Sequence, residues 1–252
     1  MKLSVLIPAH NEAASITDTV CGLASTLEAA QIAHEILVVE DHSTDGTADV
    51  LEQLTNRVAQ LRWVSNPRPP GFGYAIRSGL EVFAGDAVCI VMADASDDPR
   101  DVVTYYGRLQ TGVECVFGSR FAPGAEVRNY PWLKLGLNRL TNIGIALLFG
   151  SRYTDWTNAF KCYRREVIDG VQPILACHFN LTVELPLKAM VRGYSYAIVP
   201  TNWYGRKAGV SKLKIKEMGS RYAFIILYVL LERWLTRGDY YRARRTRQPL
   251  NS

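Results

Sequence analysis

Five apolar runs, spaced by amphipathic stretches, constrain this chain more than any other feature. LSVLIPAH (3–10), EILVVED (35–41), LRWVSN (61–66), AVCIVMAD (87–94) and CVFGSR (115–120) each have the length and composition of a buried strand. Between them the spacing predicts helices over 11–30, 47–59, 74–83 and 102–109. In the first of these, Ile16, Val20, Leu23 and Leu27 share one face. Strands alternating with helices at this interval make βαβ units and a mostly parallel sheet flanked by helices, an α/β fold. Further on, helices are expected over 130–149 and 180–192. A mixed polar and aromatic stretch lies at 155–165. A strand at 196–203 contains Pro200, which favours an edge or a strand end. A basic loop over 204–212 precedes a helix from Lys214 to near Arg237, whose middle, YAFIILYVLL (222–231), is apolar all round. No linker rich in Gly, Ser or Pro interrupts the chain. The expected division is one domain over 1–213 and a C-terminal appendage over 214–252.

With 252 residues, 48% hydrophobic and 21% charged, there is material for one large core, and disorder, collagen and coiled-coil rods are excluded. No run reaches the roughly 18 apolar residues of a spanning helix. MKLSVLIP is too short for a signal peptide. The five cysteines are odd in number and form no CxxC pair. Neither a disulfide framework nor a zinc site is expected, and a reducing, cytoplasmic compartment follows. Charge is uneven. Residues 203–252 hold twelve Lys/Arg and three Asp/Glu, against seventeen and twenty-one over 1–202. Such a basic tail suits a phosphate-bearing partner or anionic lipid as well as simple solvation. No aromatic-basic recognition motif accompanies it, so no nucleic-acid partner is expected.

Open parallel sheets bind ligands at the carboxyl ends of their strands. Three such ends are polar here: His10-Asn11-Glu12, Glu40-Asp41-His42 and Asp94-Ala95-Ser96-Asp97-Asp98. Carboxylates there can accept hydrogen bonds from a sugar or base, or hold a hard cation together with substrate phosphates. Acidic residues also cap helices. Asp45 and Asp98 divide evenly between these roles, whereas Asp41, Asp94 and Asp97 point to a ligand. GxGxxG after the first strand, a P-loop and GxSxG are all absent. The four histidines lack metal-ligand spacing.

Val5-Leu6-Ile7-Pro8-Ala9-His10-Asn11-Glu12, Val39-Glu40-Asp41-His42-Ser43-Thr44-Asp45-Gly46-Thr47, Gly71-Phe72-Gly73-Tyr74-Ala75, Gly118-Ser119-Arg120-Phe121, the segment from Asp155 to Arg164 and that from Gly205 to Leu213 occur in an order that resembles the inverting family 2 glycosyltransferases. The nearest subgroup is the polyprenyl-phosphate (dolichyl-phosphate) mannose or glucose synthases. The resemblance covers Leu3 to Leu213 and implies a GT-A fold. It departs at two places. His10 stands where the family usually has Tyr. Ala93 and Ala95 fall where the family's Asp-x-Asp metal motif should lie, so a shifted register with Asp94 and Asp97 as metal ligands is expected.

The resemblance implies transfer of a hexose from a GDP- or UDP-sugar to polyprenyl phosphate, with Mg²⁺ or Mn²⁺. Pro8, Ala9, Asn11, Glu12, Asp41, Arg120, Lys207, Ser211 and Lys212 are the expected donor-binding residues. Asp94, Asp97, Glu184 and Arg206 are the expected catalytic ones. A divalent cation and basic groups can neutralise charge building on the diphosphate. Transfer to a hydroxyl needs a general base, for which Glu184 and Asp155 are candidates. A phosphate acceptor is already anionic, and Arg128, Asp155, Lys161 and Arg164, with Arg120, are the expected acceptor-side groups. Glu184 could instead bind donor hydroxyls.

Aromatic and apolar residues over 222–231, followed by arginines, suit a helix lying in the cytoplasmic membrane interface, with 214–247 as the contact and the protein peripheral. Burial against the body or in a homodimer suits the same run. The apolar 132–149 segment could likewise pack in the core or meet a lipid tail. Two rival functions remain: a same-fold transferase with a soluble or saccharide acceptor, and a non-catalytic nucleotide-sugar-binding module.

Overall fold

The computed structural model describes residues 1–128, 132–204 and 215–242. Its main sheet contains β1 (Leu3–Ala9), β2 (His34–Glu40), β3 (Leu61–Ser65), β4 (Ala87–Ile90), β5 (Cys115–Ser119), β7 (Lys161–Arg164) and β8 (Tyr196–Pro200). The strand order is β3-β2-β1-β4-β7-β5-β8. All neighbours are parallel except β7, which runs antiparallel to both β4 and β5. The short strands β6 (Val127–Arg128) and β9 (Trp203–Tyr204) pair separately.

Period-two alternation sends Leu6 to one face of β1 and Val5 and Ile7 to the other, which divides the core in two. Helices α1 (Ile16–Ala29), α2 (Thr47–Thr55) and α4 (Pro99–Gln110) bury Val20, Leu51 and Val102 against the Val5 face. Helices α3 (Phe72–Val82), α5 (Trp132–Phe149), α6 (Arg165–Gly170), α7 (Leu181–Val191) and α8 (Ile215–Leu235) cover the Leu6 face. The expected mostly parallel α/β sheet is present. The strand β7 and the helix α6 went unpredicted, because four residues beginning and ending in a cation carry no strand signature.

Helix α8 packs into this second core through Ile225, Val229 and Leu230. Its Glu232 makes a buried two-point ion pair with Arg192 at 2.7 and 2.8 Å. Phe224, Leu227, Leu231, Trp234 and Leu235 face outward. Helix α5 behaves alike. Asn142, Ile145, Ala146 and Phe149 point inward, and Leu140, Ile143, Leu147 and Leu148 outward. No helix among the described residues is long and apolar enough to cross a membrane.

Candidate functional site

The strand order reverses between β1 and β4, and open α/β sheets take ligands at the carboxyl ends of strands that flank such a reversal. Three turns there place non-glycine residues in the left-handed region: Asn11 (φ 53°), His42 (φ 56°) and Ala95 (φ 56°). Such backbone costs on the order of 1 kcal/mol per residue. Its recurrence after β1, β2 and β4 makes this rim the candidate site, although Gln31 and Arg237 adopt the same conformation elsewhere.

The first two turns brace each other. Asn11 accepts from the Thr44 N–H (2.7 Å), and the Asn11 N–H donates to the Ser43 hydroxyl (3.0 Å). The Glu12 N–H donates to Thr47 Oγ1 (3.0 Å). Pro8 and Ala9 are buried within β1, and the Ala9 carbonyl accepts from the Asp41 N–H at 2.7 Å. His10 Nδ1 donates to the Asp41 carbonyl at 2.5 Å. Asp41 itself is buried. One oxygen accepts from Asn66 Nδ2 (2.7 Å) and the other from the Gly71 N–H (2.9 Å). Asn66 escaped the sequence reading; a lone polar residue directly after β3 was its only signal. Asp45 serves structure, accepting from the Ala13 and Thr47 N–H groups.

At the end of β4, Asp94 is half-buried and accepts from the Ser96 N–H (3.2 Å) and hydroxyl (2.6 Å). Asp97 is buried and accepts from the Met92 N–H (2.9 Å). Burial pushes the Asp97 carboxyl up to about 7, and the neighbouring Asp94 charge acts in the same direction. Asp98 caps α4 through the Arg100 N–H. Among the described residues no three His, Cys, Asp or Glu side chains gather as a metal cluster. Mg²⁺ commonly takes only one or two carboxylates and draws its other ligands from phosphates and water. The oxygen donors of Asp94 and Asp97 fit that chemistry.

At the end of β5, Arg120 and Asp155 form a buried two-point pair, Nε to Oδ2 at 2.9 Å and Nη2 to Oδ1 at 2.7 Å. The Arg120 N–H also donates to Oδ2 (2.8 Å). Asp155 thus orients Arg120, and both its oxygens are engaged. Arg128 is exposed on β6 and pairs with Glu126.

Three expected site residues hold the scaffold instead. Glu184 is fully buried on α7. Its oxygens accept from the Leu175 N–H (2.8 Å), the Ala176 N–H (2.6 Å) and Lys188 Nζ (2.6 Å), so it has no surface to offer a substrate proton. Lys161 is buried, with Nζ donating to the carbonyls of Trp156 (3.0 Å), Thr182 (3.2 Å) and Asn158. Arg164 pairs in register with Ala87, at the opposite end of β4 from the rim, and donates to the Val113 and Leu109 carbonyls. Arg206, Lys207, Ser211 and Lys212 lie outside the described residues.

Comparison with known proteins agrees with this arrangement. Residues 4–171 match the family described as Glycosyl transferase family 2. The chain is 31% identical to a polyprenol monophosphomannose synthase of Mycolicibacterium smegmatis, over 71% of this chain and 69% of that protein. It is 27% identical to a dolichol-phosphate mannosyltransferase of Pyrococcus furiosus, over 86% of this chain but only 60% of that protein. Among solved structures, glucosyl-3-phosphoglycerate synthase from Mycobacterium tuberculosis, in complex with Mn²⁺, UDP and phosphoglyceric acid, shares the fold. The TM-score is 0.69 at 21% identity, over 92% of this chain and 78% of that one. The strand order, the strained polar rim and the match over most of its length together make this chain a member of glycosyltransferase family 2 with a GT-A-like fold.

Proposed function

We propose that this chain transfers a hexose, with inversion, from a GDP- or UDP-sugar to a polyprenyl phosphate at the cytoplasmic membrane surface. The observation that carries the reading is a fixed cation beside an apolar surface. Arg120 is pinned by buried Asp155. Helix α5 reaches it through Thr157, whose hydroxyl meets Arg120 Nη2 at 3.4 Å and Asn138 Nδ2 at 2.8 Å, and on the outward side of that helix Trp132, Leu140 and Leu147 are 82%, 71% and 78% exposed. A phosphate on an isoprenoid tail needs both features at once.

In this reading Asp41 and the Pro8–Glu12 turn receive the nucleoside. Asp94 and Asp97 hold Mg²⁺ or Mn²⁺ at the diphosphate. The cation, when bound, supplies positive charge to the departing diphosphate. Arg206, Lys207, Ser211 and Lys212 are assigned to the same diphosphate by resemblance. Arg120, with Arg128 at the rim, faces the acceptor. A phosphate is anionic at neutral pH and serves as nucleophile without a base, which is consistent with the full burial of Glu184 and with the engagement of both Asp155 oxygens. The outward face of α8, with Trp234 and Leu235, lies in the membrane interface. The similarity to a polyprenol monophosphomannose synthase and to a dolichol-phosphate mannosyltransferase supports this acceptor class.

The test is transfer of labelled sugar from GDP- and UDP-hexoses into organic-soluble polyprenyl phosphate. Label that disappears with chelator and with Asp94→Ala is the expected result. Donor binding without organic-phase label overturns the acceptor and moves the search to soluble phosphates.

A further inference from the structure

Asn142 is a polar residue buried in the apolar inner face of α5, with no exposed surface. An amide in that position is costly unless its hydrogen bonds are made. Half of them are made to one residue outside the helix. Oδ1 accepts from the Thr157 N–H (3.2 Å), and Nδ2 donates to Thr157 Oγ1 (3.0 Å). Nδ2 also lies 2.8 Å from the Asn138 carbonyl and 2.9 Å from Asn138 Oδ1. Asn138 Nδ2 in turn donates to the same Thr157 Oγ1 at 2.8 Å.

Thr157 stands two residues after Asp155, in the turn that carries the carboxylate orienting Arg120. That turn is gripped from the sheet side by Tyr153, whose single hydroxyl proton is shared between the Asp155 carbonyl at 2.6 Å and the Gly118 carbonyl at 2.9 Å. Asn158 adds to the grip by donating to the Gly118 carbonyl. From the other side it is gripped by Asn138 and Asn142. A hydroxyl oxygen has two lone pairs, and both amide nitrogens lie within hydrogen-bond reach of it. The Arg120 Nη2 contact to Oγ1, 3.4 Å, is the longest of the three.

We propose that Asn142 is a positioning residue for Arg120: together with Asn138 it ties the setting of the guanidinium to the seat of α5. The outward face of the same helix also carries apolar side chains, Leu140, Ile143 and Leu147, so a tail lying on α5 and a phosphate lying on Arg120 would both bear on the helix that Asn138 and Asn142 tie to Thr157. This inference rests on the reading of Arg120 as the acceptor-phosphate group and extends it to a residue that never touches the substrate.

The experiment titrates farnesyl phosphate into the full chain by calorimetry, with UDP and GDP titrated separately. Asn142→Ala should weaken farnesyl phosphate about tenfold, the effect of one lost positioning bond, and leave nucleotide affinity within about twofold. Ile145→Ala removes packing from the same helix face without touching Thr157, and should leave farnesyl phosphate affinity unchanged. In an Arg120→Lys background, Asn142→Ala should add less than about twofold, because coupled residues are not additive. If Asn142→Ala fails to fold, Asn142→Ser replaces it. Wild-type affinity in the Asn142 variant, an equal loss in Ile145→Ala, or full additivity with Arg120→Lys overturns the inference. An Arg120→Lys chain that binds farnesyl phosphate as well as wild type overturns the phosphate reading itself, which separates the two failures.

Discussion

Replacing Glu184 by Gln separates a scaffold from a catalytic base. In the folded chain the carboxylate answers three donors: two consecutive N–H groups of the 175–176 segment and the Lys188 ammonium, all within 2.8 Å. Gln keeps the shape and one acceptor oxygen, but turns an NH₂ toward a donor and removes the charge opposite Lys188. Burial already holds the Lys188 ammonium below its ordinary range, and Glu184 is the partner that opposes that shift. Breaking a buried pair on one side costs about 3–5 kcal/mol. For a chain of this length that corresponds to a fall in Tm of about 6–20 °C. Urea unfolding followed by circular dichroism measures the loss, and kcat of the folded fraction, read at low temperature, should stay within about threefold of wild type. Lys188→Met in the same chain should cost less than it does alone, by about 0.5–3 kcal/mol, since its partner is already gone. A variant as stable as wild type whose kcat falls a hundredfold would refute the reasoning and make Glu184 a substrate contact.

Burial pushes the Lys161 ammonium down to about 7 from its ordinary 10.5. Between those values the unfolded chain binds a proton that the folded chain lacks, so this group makes stability rise with pH over that window. Urea midpoints at pH 7 and pH 9 should show the rise, and Lys161→Met should flatten it. At Gly73 an added Cβ would fall 2.5 Å from the Cys177 carbonyl carbon and 2.6 Å from the His178 nitrogen. Gly73→Ala should therefore cost about 1–3 kcal/mol in thermal unfolding, and unchanged stability would show that the 176–178 backbone yields freely. Glu232→Ala leaves Arg192 buried opposite no carboxylate. Amide exchange along 219–235 should then accelerate by at least about tenfold relative to β1, as α8 loosens before the sheet; equal protection would mean that apolar packing alone holds it.

Much of this protein is legible along the chain, because strand ends and helix faces follow periods of two and 3.6 residues. The buried runs of β1, β2, β4 and β5, the polar ends His10–Glu12, Asp41 and Asp94–Asp97, and the inward face of α1 all come from spacing within about ten residues. The resemblance to family 2 transferases rests on the same local segments. Tertiary structure decided what long-range pairing controls. Lys161 and Arg164 look alike in sequence, yet the antiparallel register of β7 sets one beside Ile90 and the other beside Ala87, at opposite ends of β4. Glu184 has the composition of a catalytic carboxylate, and only the approach of the 175–176 backbone makes it a brace. Asn142 reads as an interruption in an apolar helix until Thr157, fifteen residues away, meets it. Local pattern fixes which residues turn inward; which partners they find there depends on how distant segments pack.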